Sequence, residues 1–230
     1  LILSGNYALV DISALDELER VRELLWLETL PELQSLAGLE GLQRVGGQAQ
    51  TRGMVVLKDL LVLEDLEGLQ GLLSVDDLWM ERADRLRDLQ GLEQLRSAKA
   101  LSMHDNLSLA SLEGLEGLLQ VDALTISENP ELSRLDGPER LSIISGDLTL
   151  NDNEHLLSLQ GLEGVSWIRG DLRVQGNPSL LDLQALHGVY GVSRDVLFRN
   201  NEALERAEIE ALIAAIGEEN IGGTVRINGP

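Results

Sequence analysis

The chain contains no cysteine, which excludes disulfides and thiolate-held metal sites. Aromatic residues make up only 3% of it, as expected where thin layers stack on identical layers. It has no run of 18 or more apolar residues, so the sequence holds no membrane-spanning helix. Lys58 and Lys99 are its only lysines. The resulting bias towards arginine points to a GC-rich bacterial source. Positive charge as a whole is scarce: 18 Lys and Arg face 39 Asp and Glu, for a formal net charge of -21. A surface this acidic argues against nucleic acid and anionic lipid as partners, and permits calcium or a cationic partner. Nucleophile motifs, phosphate-binding glycine loops and paired catalytic carboxylates are also missing, so nothing supports an enzyme.

What is present is leucine at fixed offsets, with a period of about 24 residues. With Leu1 as offset 0, apolar residues follow at Leu3, Leu9, Ile12, Leu15, Leu18 and Val21. The register restarts at residues 25, 55, 78, 101, 124, 148, 172 and 196, giving nine coils of mostly 23–24 residues. Such a repeat makes one continuous body over residues 1–230, because each coil contacts its neighbours and no boundary interrupts it. Residues 1–201 form the coils and 202–230 a C-terminal cap. The chain begins inside a full coil, which predicts an N-terminal cap upstream of Leu1, with any signal peptide or lipid anchor.

Offsets 0 and 2 alternate with outward positions, as in Leu148-Thr149-Leu150, and predict a short strand per coil with one face buried. Stacked strands make one long parallel β-sheet. Asparagine recurs at offset 5 as Asn6, Asn106, Asn129, Asn153, Asn177 and Asn201, and is expected to stack as a structural ladder bonded to backbone groups. Apolar residues then fall at every third position, as in "SLEGLEGL" from Ser111 to Leu118, which suits a 3₁₀-like or irregular wall. The last segment changes period. Ile209, Leu212, Ile213 and Ile216 lie on one face of a helix over 206–216 capped by Gly217, and "TVRI" at 224–227 supplies a final strand. The expected fold class is a leucine-rich-repeat-like, β-helix-like repeat solenoid with a C-terminal capping helix and strand.

"GDLTLNDNEHLLSLQGLEGV" at 146–165 and "GDLRVQGNPSLLDLQAL" at 170–186 resemble bacterial members of the receptor L-domain group, whose best-known members are ligand-binding lobes of insulin and epidermal-growth-factor receptor ectodomains. The resemblance covers the whole chain and is sharpest from about residue 101 to 201. It implies a right-handed β-helix-like solenoid, protein binding without catalysis, and a location outside the cytoplasm: secreted or surface-anchored, in the periplasm or at the outer membrane. The cysteine modules that accompany the animal receptor domains are missing, so receptor signalling does not transfer. The shared residues are core positions, so no ligand residue transfers either.

The outward face of the long sheet is the candidate functional surface. The first four coils place Ile2, Leu24, Trp26, Met54, Val56 and Trp79 on it, a contiguous apolar patch expected to be exposed, beside Glu28, Lys58 and Glu81 at offset 3. Contiguous exposed apolar area marks interaction sites, and tryptophan is enriched at binding hot spots. The repeat fails in the same place: Leu30, Leu60 and Ala83 replace the ladder asparagine, and "GGQAQTRG" (46–53) lengthens the second coil by about six residues. Two readings stand. Either this half of the sheet meets a protein or cell-surface partner, or upstream residues and the 46–53 insertion cover the patch as core, leaving a structural cell-envelope spacer.

Asp147, Asp171 and Asp195 recur every 24 residues. They would stack into a carboxylate ladder able to take calcium, or would accept backbone N–H bonds as turn caps. His104, His155 and His187 fall at different offsets and do not converge as metal or catalytic sites need. "NDNE" at 151–154 lacks the remaining spacing of a calcium loop. "NLS" at 106–108 places its asparagine in the buried ladder. Only Thr125 and Thr149 follow one another at offset 1, too few for an ice-binding threonine face. No cofactor is expected.

Overall fold

The computed structural model describes residues 1–46 and 52–228. The chain winds as a parallel β-solenoid of about eight turns. A wide sheet carries Ile2–Ser4, Leu24–Glu28, Met54–Lys58, Ser74–Glu81, Ser97–His104, Gln120–Ser127, Leu148–Asn151, Leu172–Gln175 and Val196–Arg199, closed by Val225–Asn228. All pairs are parallel, and the register joins equal offsets, as in Leu124↔Leu148↔Leu172↔Val196.

A second, narrow sheet runs alongside. Arg20–Val21, Arg44–Val45, Ile143–Ile144, Trp167–Ile168 and Gly191–Val192 each give it two residues. In between, the first residues of the three long strands complete it. Coil length decides which form occurs. Coils starting at 55, 78 and 101 have 23 residues. Two residues then separate the narrow-sheet valine or alanine from the next wide-sheet leucine, and one eight-residue strand bends through both sheets, as in Ser74–Glu81. Coils of 24 residues insert one more, as in Ser145-Gly146-Asp147, and the strand breaks at the corner.

Every coil leaves the wide sheet through a left-handed residue: Gly5, Thr29, Asp59, Arg82, Asp105, Glu128, Asp152, Gly176 and Asn200 all have φ between 50° and 66°. For side chains other than glycine this costs on the order of 1 kcal/mol or more. The N–H so turned reaches the next coil, as Asp105 N to Ser127 O (3.1 Å) and Asp152 N to Gln175 O (2.9 Å).

The wall opposite the wide sheet is held by two caps in most coils. Ser111 Oγ accepts the N–H of Glu113, and Glu116 accepts that of Gly114. The same pair of bonds is made by Asp65 and Gln70, and by Asp88 and Glu93. Part of the chain's acidity is thus capping chemistry. The glycine between the caps is obligatory: Gly114 has φ of 107°, and a Cβ there would lie 2.0 Å from Leu89 O of the preceding coil. Where alanine takes this position, Ala14 and Ala185, the wall forms 3₁₀ turns instead, Ser13–Leu15 and Gln184–Leu186.

One core column runs through the body, with leucines such as Leu36, Leu66, Leu89, Leu112 and Leu135 wholly buried. Each contributes roughly 1.5–3 kcal/mol on burial. At the C-terminal end Ile209, Leu212, Ile213 and Ile216 of the helix Arg206–Ile216 join the same core. The helix stops at Gly217 (φ 83°), whose N–H bonds Ile213 O. Among the described residues no helix is long and apolar enough to cross a membrane.

Candidate functional site

The rows expected on the outer face of the wide sheet are in register: Ile2↔Trp26↔Val56↔Trp79 at offset 1, Leu24↔Met54↔Asp77 on one side, and Ser4↔Glu28↔Lys58↔Glu81 on the other. Ile2 is 63% exposed and Trp79 41%, while Leu24, Trp26 and Met54 are half-buried. Val56 departs from expectation. It is 3% exposed, because it is the short side chain between two indoles, with Met54 and Lys58 beside it on its own strand. The patch is therefore two tryptophans and an isoleucine with valine as the floor.

Both indoles are fixed the same way. Trp26 Nε1 donates to Glu28 Oε2 and Trp79 Nε1 to Glu81 Oε2, each at 3.0 Å. The acceptor sits two residues on, hence on the same face of the strand. Ser4 Oγ adds a bond to Glu28 (3.1 Å), and Lys58 Nζ lies 2.9 Å from Glu81 Oε1. Burial alone would raise the Glu81 carboxyl, but hydrogen bonds from Lys58 and Trp79 outweigh it and hold the group below the usual carboxylate range. At the next offset Arg82 pairs with Asp59 (2.5 Å), and that bond keeps Asp59 low as well.

The described C-terminal end of the insertion lies beside this surface. Residues 47–51 of the insertion lie outside the described residues. At its C-terminal end Arg52 pairs with Asp77, and Gly53 N–H donates to Asp76 Oδ2 (2.7 Å).

The ladder forms from Asn106 to Asn201. Asn129 Oδ1 accepts the N–H of Asn106 (3.1 Å), while its amide donates to Met103 O (3.2 Å) of the preceding coil, and Asn153 and Asn177 repeat the arrangement. Asn6 does not belong to it. Its side chain is exposed and bonds Ser4 O (3.2 Å), because the ladder side chains bond the coil before them, as Asn129 does Asn106 N and Met103 O, and Asn6 stands in the first coil. The aspartates at 147, 171 and 195 do stack, and their oxygens are engaged. Asp147 and Asp171 each accept the N–H of the next aspartate (2.8 Å), and Asp195 accepts that of Thr224 (2.8 Å). Arg173 pairs with both Asp147 and Asp171. This is the turn-capping arrangement, with an arginine supplying the positive charge. Among the described residues no three acidic or histidine side chains converge to hold a metal.

The histidines are apart. His104 Nδ1 meets Ser127 Oγ (3.0 Å), His155 Nδ1 meets Pro130 O (2.7 Å), and His187 is exposed. The narrow sheet escaped sequence reading altogether. Its outer row reads Arg20, Arg44, Ser74, Ser97, Gln120, Ile143, Trp167, and a two-residue strand is too short to show alternation. The valines Val21, Val45 and Val75, each after a polar residue, were its one signal.

No family model matches this chain, and no curated protein or solved structure matches it.

Proposed function

We propose that the chain is a non-catalytic recognition module that offers the N-terminal half of its wide sheet to a partner protein, with Trp26 and Trp79 as the anchors. One observation carries this reading: two indoles on one outward row, each locked to a glutamate two residues on, with Val56 buried between them. Locked side chains on a stiff sheet lose little conformational entropy on binding. Aromatic anchors bordered by charged side chains are the usual anatomy of an interface centre and rim. The resemblance to receptor L-domains supports a place in a larger secreted or surface-anchored bacterial protein.

The test is affinity capture from the native organism with wild type and the Trp26→Ala/Trp79→Ala variant side by side, circular dichroism first confirming that the variant folds. A partner held by wild type should be weakened about thirtyfold or more, the size of a hot-spot loss. Equal retention by the folded variant sinks this reading, and so does the lack of any specific partner, which leaves the spacer.

A further inference from the structure

The narrow sheet carries a charge arrangement that the fold does not use. Arg20 and Arg44 lie directly opposite one another on adjacent parallel strands, both exposed. Like charges so placed destabilise the pair. Some other basic side chains of the wide sheet and its corners sit against carboxylates, as Lys58, Arg82, Lys99 and Arg173 do; what sets Arg20 and Arg44 apart is that they face each other in register. Acidic residues outnumber basic ones 39 to 18, yet among the described residues neither Arg20 nor Arg44 has a carboxylate within ion-pair distance. Arg22, at the same corner, is exposed too.

The two arginines stand at the end of a groove. One recess of about 200 Å³ is lined by Arg20, Gln43, Arg44 and Leu73. A second, of about 330 Å³, shares Arg44 and continues over Ser74, Ser97 and Gln120, with Asp76 (paired with Lys99) and Asp122 along its far side, away from Arg20. The row from Arg20 to Gln120 spans four strand spacings, about 19 Å at ~4.8 Å each. An extended peptide of about six residues covers that length at ~3.3 Å per residue. The floor is short and polar: hydroxyls from Ser74 and Ser97 and an amide from Gln120 suit a peptide backbone.

We propose that this groove is a second binding site, on a different sheet from Trp26 and Trp79, and that it takes an extended acidic peptide segment whose carboxylates seat against Arg20 and Arg44. The guanidinium fork matches a carboxylate bidentately, and two forks side by side bracket one carboxylate or hold two neighbouring ones. Ligand carboxylates would also relieve the repulsion between the arginines. The acidity of the rest of the chain makes the groove selective for short acidic segments, since a long polyanion would meet repulsion beyond it.

The probe is a fluorescently labelled hexapeptide amide beginning with two glutamates, compared with its counterpart carrying two glutamines, and titrated with the full chain. Wild type should bind the glutamate peptide at least tenfold more tightly, and the preference should weaken with added salt. Arg20→Gln/Arg44→Gln, shown to be folded by circular dichroism, should lose the preference. Trp26→Ala/Trp79→Ala should keep it, which separates this site from the wide-sheet face. Equal affinity for the two peptides overturns the proposal, as does a preference that survives in the arginine variant. Inorganic phosphate binding as tightly as the glutamate peptide overturns the assignment to a peptide.

Discussion

Gly46 and Gly53 touch: a Cβ built on Gly53 would lie 2.0 Å from Gly46 Cα. The chain leaves the coil at one glycine and re-enters at the other. Counted without residues 47–52, the second coil has the 24 residues of an ordinary one. Joining Gly46 directly to Gly53 should therefore give a protein with unchanged circular dichroism and a Tm within a few degrees of wild type, since the body loses no core residue. Loss of cooperative melting would show that the insertion holds coils two and three together.

The same geometry shows how much was legible. Core leucines announced the coil because one inward position recurs every 23–24 residues, and the strands and the helix Arg206–Ile216 followed. The narrow sheet did not show, because its strands are two residues long and are defined by pairing between coils. The merging of two sheets into one strand in the 23-residue coils depends on a single residue at a corner, a spacing that carries no apolar signal. In the candidate site, offsets placed Trp26 and Trp79 on the outer face. The burial of Val56 follows from the relative size of three side chains in neighbouring coils, which a pattern of single positions does not encode.

Gly114 gives the sharpest backbone prediction. Alanine there combines φ of 107° with a Cβ 2.0 Å from Leu89 O, and Leu89 N–H is tied to Glu113 O at 2.7 Å, so neither coil has room to give. Gly114→Ala should cost about 3 kcal/mol or more, read as a lower urea midpoint. Ala185→Gly, where the chain already forms a 3₁₀ turn, should cost about 1 kcal/mol or less. Similar losses in the two variants would contradict the steric account.

Asn129 and Asn6 occupy the same offset and should respond very differently. Asn129→Ala removes the acceptor for Asn106 N–H and a donor to Met103 O, inside a site with no exposure. Unmade buried bonds cost roughly 1–3 kcal/mol each, so a loss of about 3 kcal/mol or more is expected. Asn6→Ala breaks one exposed bond to Ser4 O and should fall within about 0.5 kcal/mol of wild type. Equilibrium urea unfolding measures both, and a small effect at Asn129 would remove the ladder from the account of stability.

Acid should weaken the fold, and one residue should oppose the trend. Asp59 is held low by Arg82. Burial pushes Asp147 up, but the Asp171 N–H and Arg173 outweigh it and leave it low; the same balance holds for Glu81. A carboxyl lowered on folding stabilises fully above its unfolded value of about 4, and that contribution is lost as pH falls through the lower folded value. Asp84 runs the other way. Burial and then the neighbouring Asp105 raise it, and its Oδ1 is buried without a partner. Its ionised form therefore disfavours the fold at neutral pH, and protonation relieves this as pH falls through the raised folded value. The urea midpoint of wild type should be lower at pH 3 than at pH 7. Asp84→Asn should raise the midpoint at pH 7 and leave it unchanged at pH 3, because the wild-type carboxyl is already neutral there. A variant that is destabilised at pH 7 would mean that the Asp84 charge is favourable after all, through Arg82.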